Sequence, residues 1–198
     1  MKLLTFLFAL LLPLGAAAGA YEDLEQAMIQ HDTADVVKLL DRGVDVNTVD
    51  RAGNSLLMQA VRQDIPALFD QLLQRRARLN TRNKNGETAL SIAAYTGKLA
   101  YVKRLVEAGA EVNFYGWSPL AYAAYNGHAA IADYLLQRGA RIDATTENGS
   151  TALFFAARNG HLDVVELLLE HQADVSVLNE SGETAVDWAL KGNNTDIA

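Results

Sequence analysis

One interval constrains this chain more than any other feature. An apolar residue opening a short helical segment recurs at Leu24, Leu57, Leu90, Leu120, Leu153 and Val186, at intervals of 33, 33, 30, 33 and 33 residues. A fixed period of this length describes stacked copies of one supersecondary unit, each too small to bury its own apolar face. The clearest copy is Gly149–Val175. Leu153, Ala156 and Ala157 fall at i, i+3 and i+4 and predict a first helix. Asn159-Gly160-His161 is a turn signal. Leu162, Val165, Leu168 and Leu169 then predict the apolar stripe of a second helix. Asp163 stands near its start, where a negative charge suits the helix dipole.

The other copies repeat the pattern in register. Copy three reads Gly86-Glu87-Thr88-Ala89-Leu90, Ala93-Ala94, Gly97, then Ala108-Gly109-Ala110-Glu111-Val112-Asn113. Copy four reads Gly116-Trp117-Ser118-Pro119-Leu120, Ala123-Ala124, Gly127-His128, then Gly139-Ala140-Arg141-Ile142-Asp143. Ser118-Pro119 is a helix cap followed by proline at the first helical position, and Thr88, Thr151 and Thr184 keep the cap. The paired alanines allow close helix approach. Gly43, Gly109 and Gly139 stop the second helix in the left-handed region. Arg76 and Gln172 replace glycine there, at a cost of roughly 1 kcal/mol each if they adopt that conformation. In copy two, Pro66 suits the first turn of a helix.

These motifs resemble the ankyrin-repeat family, and the resemblance covers residues 21–198. It implies an all-α ankyrin-repeat solenoid, with a helix–turn–helix and a β-hairpin or turn in each 33 residues, of about five repeats plus a C-terminal half-repeat. The approximate repeats are 21–49, 50–82, 83–112, 113–145, 146–178 and 179–198. Copy one is expected to begin on its first helix at Asp23, with Glu22, Asp23 and Glu25 as a polar cap. Copy six stops as its second helix should begin, so fraying is expected there.

Residues 1–20 read as a signal peptide: Met1-Lys2, an apolar run from Leu3 to Leu14, then small residues. Ala18-Gly19-Ala20 fits the small-x-small cleavage rule, which places the mature start at Tyr21. No other stretch is long enough to span a bilayer, so no membrane insertion is expected after cleavage. The expected destination is the periplasm or the exterior of a bacterial cell.

Several chemistries are set aside. Half of the chain is hydrophobic, enough for a core, and the net charge of −7 repels phosphate backbones, which argues against nucleic acid. There is no cysteine, hence no disulfide or zinc-thiolate site. His128 and His161 hold the family's structural glycine–histidine position. The serines sit at caps or hairpins, without a strained nucleophile elbow. Asn83-Lys84-Asn85-Gly86 lacks the acidic first ligand and distal glutamate of a calcium loop. No catalytic residue, cofactor or metal is expected.

What remains is surface. The resemblance implies a protein partner, bound by a monomer in the concave groove formed by hairpin tips and first helices. Carried over by position, the candidates are Arg62, Lys84, Tyr95, Phe114, Tyr115, Trp117, Tyr125 and Arg158. One departure marks copy four: Asn113 to Gly116 is three residues, where Asn80 to Gly86 is six. Phe114-Tyr115-Gly116-Trp117 fills the shortened hairpin with aromatics. These form a binding hot spot, or they cover the gap left by the missing residues. By family analogy the role is support of an envelope protein such as a catalase in stress resistance. The alternatives are an inhibitor or immunity protein, or a secreted host-directed effector.

Overall fold

The computed structural model describes residues 14–198, with side chains from Gly19 onward. Residues 1–13, the larger part of the expected signal peptide, lie outside the described residues. Each of five copies lays down two helices: α1 (Leu14–Ile29) with α2 (Thr33–Asp41), α3 (Leu56–Arg62) with α4 (Pro66–Gln74), α5 (Ala89–Tyr95) with α6 (Leu99–Glu107), α7 (Pro119–Tyr125) with α8 (Ala129–Gln137), and α9 (Ala152–Asn159) with α10 (Leu162–Glu170). A sixth copy contributes α11 (Ala185–Lys191). First helices stack in the series α3, α5, α7, α9 and α11, and second helices form an outer layer. The result is the all-helical repeat solenoid that the period predicts.

Local chemistry explains each element. Ser55, Thr88, Ser118 and Thr184 accept from the main-chain N–H three residues on, at 3.1–3.3 Å. Pro66 and Pro119 stand at the first helical position. Ala93, Ala94, Ala123, Ala124 and Ala156 are completely buried, so stacked first helices approach on methyl groups. Leu57, Leu90, Leu120 and Leu153 fill the core between them. The backbone also repeats. The turn between helices is left-handed at His31, Asp64, Gly97, Gly127, Gly160 and Asn193, and the stop after the second helix at Gly43, Arg76, Gly109, Gly139 and Gln172. Arg76 (φ 57°) and Gln172 (φ 65°) do adopt the costly conformation.

Side chains also tie copy to copy. Asn47, Asn80, Asn113 and Asp143 accept, at 2.8–3.0 Å, from the main-chain N–H groups of Arg78, Glu111, Arg141 and Asp174 in the following copy. Each bond holds the base of one hairpin against the next.

The projecting tips between copies are closed turns. In tip two (Asp50–Asn54), tip three (Asn83–Glu87), tip five (Thr146–Ser150) and tip six (Asn179–Glu183), the first residue's N–H donates to the last residue's carbonyl at 2.9–3.0 Å. Asp50, Asn83 and Asn179 also accept main-chain N–H groups within their own tips, the usual stabilisation of such turns. The expected hairpins are turns rather than strands; the sole bridge among the described residues pairs Val49 with Ser55.

Other expectations need correction. Helix α1 already includes Leu14, upstream of the expected start at Asp23, so Ala18, Ala20 and Tyr21 of the predicted cleavage site lie within it. Thr151 has a cap's extended backbone, but its hydroxyl makes no hydrogen bond. On α10 the buried stripe is Val164, Val165 and Leu168; Leu162 and Leu169 are exposed. Val186 is 43% exposed, because no later copy among the described residues covers it. Beyond α11, Thr195–Ile197 forms a turn, with Ile197 packed against the core.

Candidate functional site

The first helices present two rows of side chains, set by i, i+3 spacing on each helix. One row is Gln59, Ile92, Tyr122, Phe155 and Trp188. The other is Arg62, Tyr95, Tyr125, Arg158 and Lys191. Both keep the 33, 30, 33, 33 intervals. The tips supply the opposing wall.

The second row is held by its carbonyls. Lys98 Nζ donates to Arg62 O at 3.2 Å, and Asn194 donates to Arg158 O at 2.7 Å. Asn126 donates to Tyr95 O and Asn159 to Tyr125 O, both at 2.7 Å. His128 Nε2 lies 3.2 Å from Tyr95 O and His161 Nε2 3.0 Å from Tyr125 O. A carbonyl only accepts, so each imidazole carries its proton on Nε2. The two histidines are therefore clamps between copies. The inter-helix glycines of the preceding copies leave no room for a side chain: a Cβ on Gly97 would stand 2.7 Å from the His128 ring, and one on Gly127 2.5 Å from the His161 ring.

Aromatic rings run along this surface without a break. Tyr95 meets Tyr122 edge-on at 5.7 Å between centroids. Trp117 lies 5.1 Å from Tyr122, 5.7 Å from Tyr125 and 4.4 Å from Phe155. Phe155 then reaches Trp188 at 5.7 Å, and the Arg158 guanidinium caps that ring at 5.0 Å. Each such pair contributes about 0.5–1.5 kcal/mol beyond its buried area. Trp117 is the hub, and it comes from the shortened hairpin. The same position holds Asn54, Glu87, Ser150 and Glu183 in the other copies.

Charge frames the rings. Glu87 accepts from Arg62 at 3.1 Å and from Asn83 at 2.6 Å. Glu183 pairs with Lys191 and accepts from the Trp188 indole at 2.7 Å and Asn179 at 3.2 Å. The Lys191 bond, then those of Trp188 and Asn179, hold the Glu183 carboxyl at about 2. Burial, reinforced by the negative charges of Glu87 and Glu147, pushes the Tyr122 phenol up to about 12.

The structure divides the eight candidates. Tyr95, Trp117 and Tyr125 lie in the ring ladder, with Arg62 and Arg158 at its two ends. Phe114 is buried beneath Arg82, whose guanidinium lies 4.3 Å from the ring centre, so it chiefly fills space. Tyr115 is 73% exposed and stands apart from the ladder; it lines a cavity of about 570 Å³ with Phe114, Arg141, Ile142 and Thr145. Lys84 is exposed on tip three. Sequence reasoning missed Tyr122, half-buried in this surface, and Phe155 and Trp188, which are buried beneath it and connect the ladder from ring to ring. Their spacing of 33 was the available signal.

With two stacked layers, periodic clamps and one row of projecting tips, the molecule has the architecture of a repeat-built binding scaffold. Two ankyrin-repeat profiles match it: "Ankyrin repeats (3 copies)" over residues 57–146 and "Ankyrin repeats (many copies)" over residues 135–189. The chain belongs to the ankyrin-repeat family. It is 36% identical over 77 residues to the B-cell lymphoma 3 protein homolog of Mus musculus, 38% of this chain and 17% of that protein. It is 40% identical over 81 residues to the Neurogenic locus Notch protein of Drosophila melanogaster, 40% of this chain and 3% of that protein. A third relative is the ankyrin repeat domain-containing protein SAT10 of Stachybotrys chartarum, 33% identical over 95 residues, 48% of this chain and 5% of that protein. The chain thus spans a small part of each relative's length, and what they share with it is the repeat. Ankyrin repeats are protein-interaction modules, and that coarse statement holds for this chain. Among the described residues no three metal-ligating side chains converge, and no helix is long and apolar enough to cross a membrane.

Proposed function

We propose that this chain is an exported module that holds one protein partner on its tip-and-first-helix surface, as a monomer and without making or breaking a bond. The continuous ring ladder from Tyr95 to Trp188 carries this reading. Tyr95 and Tyr125 are 45% and 39% exposed although their backbones are clamped. Rigid, half-exposed tyrosines beside a tryptophan and an arginine are the composition of binding hot spots. They lose little side-chain entropy when a partner arrives.

Export rests on the pattern of residues 1–20, and the periplasm is the proposed destination. Support of an envelope protein such as a catalase is the first choice of role, by family analogy. The test is the full chain with its own leader and a C-terminal tag, captured from envelope extract beside a Tyr95→Ala, Tyr125→Ala double variant. The mature protein should begin at Tyr21. One partner should bind the parent chain and not the variant, while the variant, lowered in melting temperature by its lost ring pairs, still unfolds in one cooperative transition above the assay temperature. A catalase in that fraction supports the stress role; a toxin or a host protein replaces it with the inhibitor or effector role. Equal capture by parent and variant sinks the concave-surface reading.

A further inference from the structure

The glycines of the five tips report how closely each tip meets the next. A Cβ on Gly53 would stand 3.2 Å from the main chain of Asn83, and one on Gly149 3.2 Å from that of Asn179. Those tips also bond directly: Lys84 N–H donates to Ala52 O and Glu180 N–H to Asn148 O, both at 3.0 Å. Tip four (Asn113–Trp117) breaks the row. Nothing lies within 4 Å of a Cβ on Gly86, which faces it. Among the described residues no main-chain hydrogen bond joins tip four to either neighbour. The three missing residues have recessed it.

A side chain occupies the space that the next main chain fills elsewhere. A Cβ on Gly116 would stand 2.5 Å from a Glu147 carboxylate oxygen. Glu147 is thus folded over the recess. Among the described residues it forms no ion pair and no side-chain hydrogen bond, whereas Glu87 is matched by Arg62 and Glu183 by Lys191. Its negative charge reaches the Tyr122 phenol, and the Tyr122 ring lies tilted against Trp117 at 39°. A lone carboxylate beside aromatic faces suits one ligand chemistry. A guanidinium or ammonium pairs with the carboxylate and with the electron-rich ring faces together. The chain's net charge of −7 steers cationic partners toward the surface.

We propose that the recess over Gly116 is a subsite for an arginine or lysine side chain of the protein partner, with Glu147 as its counter-ion and Trp117 and Tyr122 as its aromatic wall. This deepens the protein-binding reading and rests on it. The three-residue deletion then acts as the device that makes the subsite: it recesses tip four, draws in a carboxylate and brings Trp117 to the ladder's centre.

The test selects random twelve-residue peptides displayed on phage against the full chain. Affinities of the enriched peptides are then measured by fluorescence anisotropy on the parent, Glu147→Gln and Tyr125→Ala proteins. Glu147 is exposed, so its substitution leaves folding intact, which the melting temperature verifies. The expected peptides carry an arginine or lysine and bind Glu147→Gln about tenfold more weakly, roughly 1.4 kcal/mol. Replacing that peptide residue by uncharged citrulline or norleucine should abolish the difference between the two proteins. Peptides weakened by Tyr125→Ala but indifferent to Glu147→Gln overturn the cation subsite and leave the protein-binding surface standing. Peptides indifferent to both substitutions overturn both.

Discussion

Tips five and six meet through their main chains, while among the described residues tip four makes no main-chain hydrogen bond to either neighbour. At the intact junction the Asn148 carbonyl takes the Glu180 N–H, and Gly149 lies against the Asn179 backbone. At the recessed tip the same glycine position meets only a carboxylate, and the residue after it is Trp117, where copies three and six place a glutamate. The intact junction is held by polar groups within the tips. The recessed one is held by rings, through Trp117 on Tyr122, Tyr125 and Phe155. In a linear stack every copy depends on its nearest neighbours, so a copy that loses its turn contacts must be fastened otherwise. At Trp117 the ring that closes the gap is also the hub of the ladder on which the proposed binding surface is built. Phe114 and Tyr115 divide, the first buried and the second exposed.

The largest expected effect breaks this fastening. Trp117→Ala removes contacts with three rings and should cost about 3 kcal/mol in urea denaturation, near the lower end for a buried aromatic because the ring is only partly covered. Tyr115→Ala, at a mostly exposed position, should cost under about 0.5 kcal/mol. If the two variants unfold alike, tip four is not anchored by Trp117, and the contrast between recessed and intact tips fails.

A second comparison sets two glycines of similar dihedral side by side. Gly149 (φ 78°) faces backbone and Gly86 (φ 77°) faces open space. Alanine at either position meets the left-handed strain of roughly 1 kcal/mol. Only at 149 must the neighbouring main chain also give way. Gly149→Ala should therefore cost about 2 kcal/mol and Gly86→Ala about 1. Equal losses would mean that the junctions on either side of tip four are no looser than the others.

Much of the comparison is legible in the sequence, and the reasons for the remainder are physical. The 30-residue interval alone locates the defect, because hairpin length is counted directly in residues. The left-handed turns at Gly97, Gly127 and Gly160 are legible because glycine is the residue that adopts them freely. The ladder is legible at its exposed rungs, Tyr95 and Tyr125. Phe155 and Trp188 are nearly buried, so at the level of periodicity they are indistinguishable from core. Phe114 reads as a surface residue until Arg82, 32 positions upstream, is seen to cover it. Thr88 and Thr151 are the same residue in the same register, but only Thr88 caps its helix. The helical turns between Leu14 and Asp23 are not legible because the small residues there fit a cleavage site as well as they fit a helix.

The cap contrast is the next test in size. Thr88 Oγ1 accepts from Ser91 N–H at 3.1 Å, and the Ser91 hydroxyl lies within bonding distance of the Thr88 N–H in return. In copy five, beside the recessed tip, both Ser150 Oγ and Thr151 Oγ1 are buried without a partner. Thr88→Val should cost about 1 kcal/mol, the ordinary loss of a cap. Thr151→Val keeps the shape, removes an unmatched hydroxyl and should be neutral or slightly stabilising in the same denaturation assay. A loss at 151 equal to that at 88 would show that its hydroxyl is satisfied after all, and that the defect stops at tip four.

The smallest effect concerns the polar fastening of tip six. The Glu183 carboxyl is held at about 2, against an ordinary value of 4.5, first by Lys191 and then by Trp188 and Asn179. A depressed carboxyl contributes stability that is fully present above the unfolded-state value and is lost as pH falls through the folded one. The parent chain should therefore lose melting temperature between pH 4.5 and pH 2 more steeply than Glu183→Gln, whose amide cannot titrate. Because the Lys191 pair is solvent-exposed, added salt should shrink the difference. The Trp188 indole bond responds less to salt, so some of the difference should persist at high ionic strength. Complete loss of the difference in salt would assign the fastening to the ion pair alone. Tip six would then be held by surface charge, and the indole that joins it to the ring ladder would add nothing to its hold.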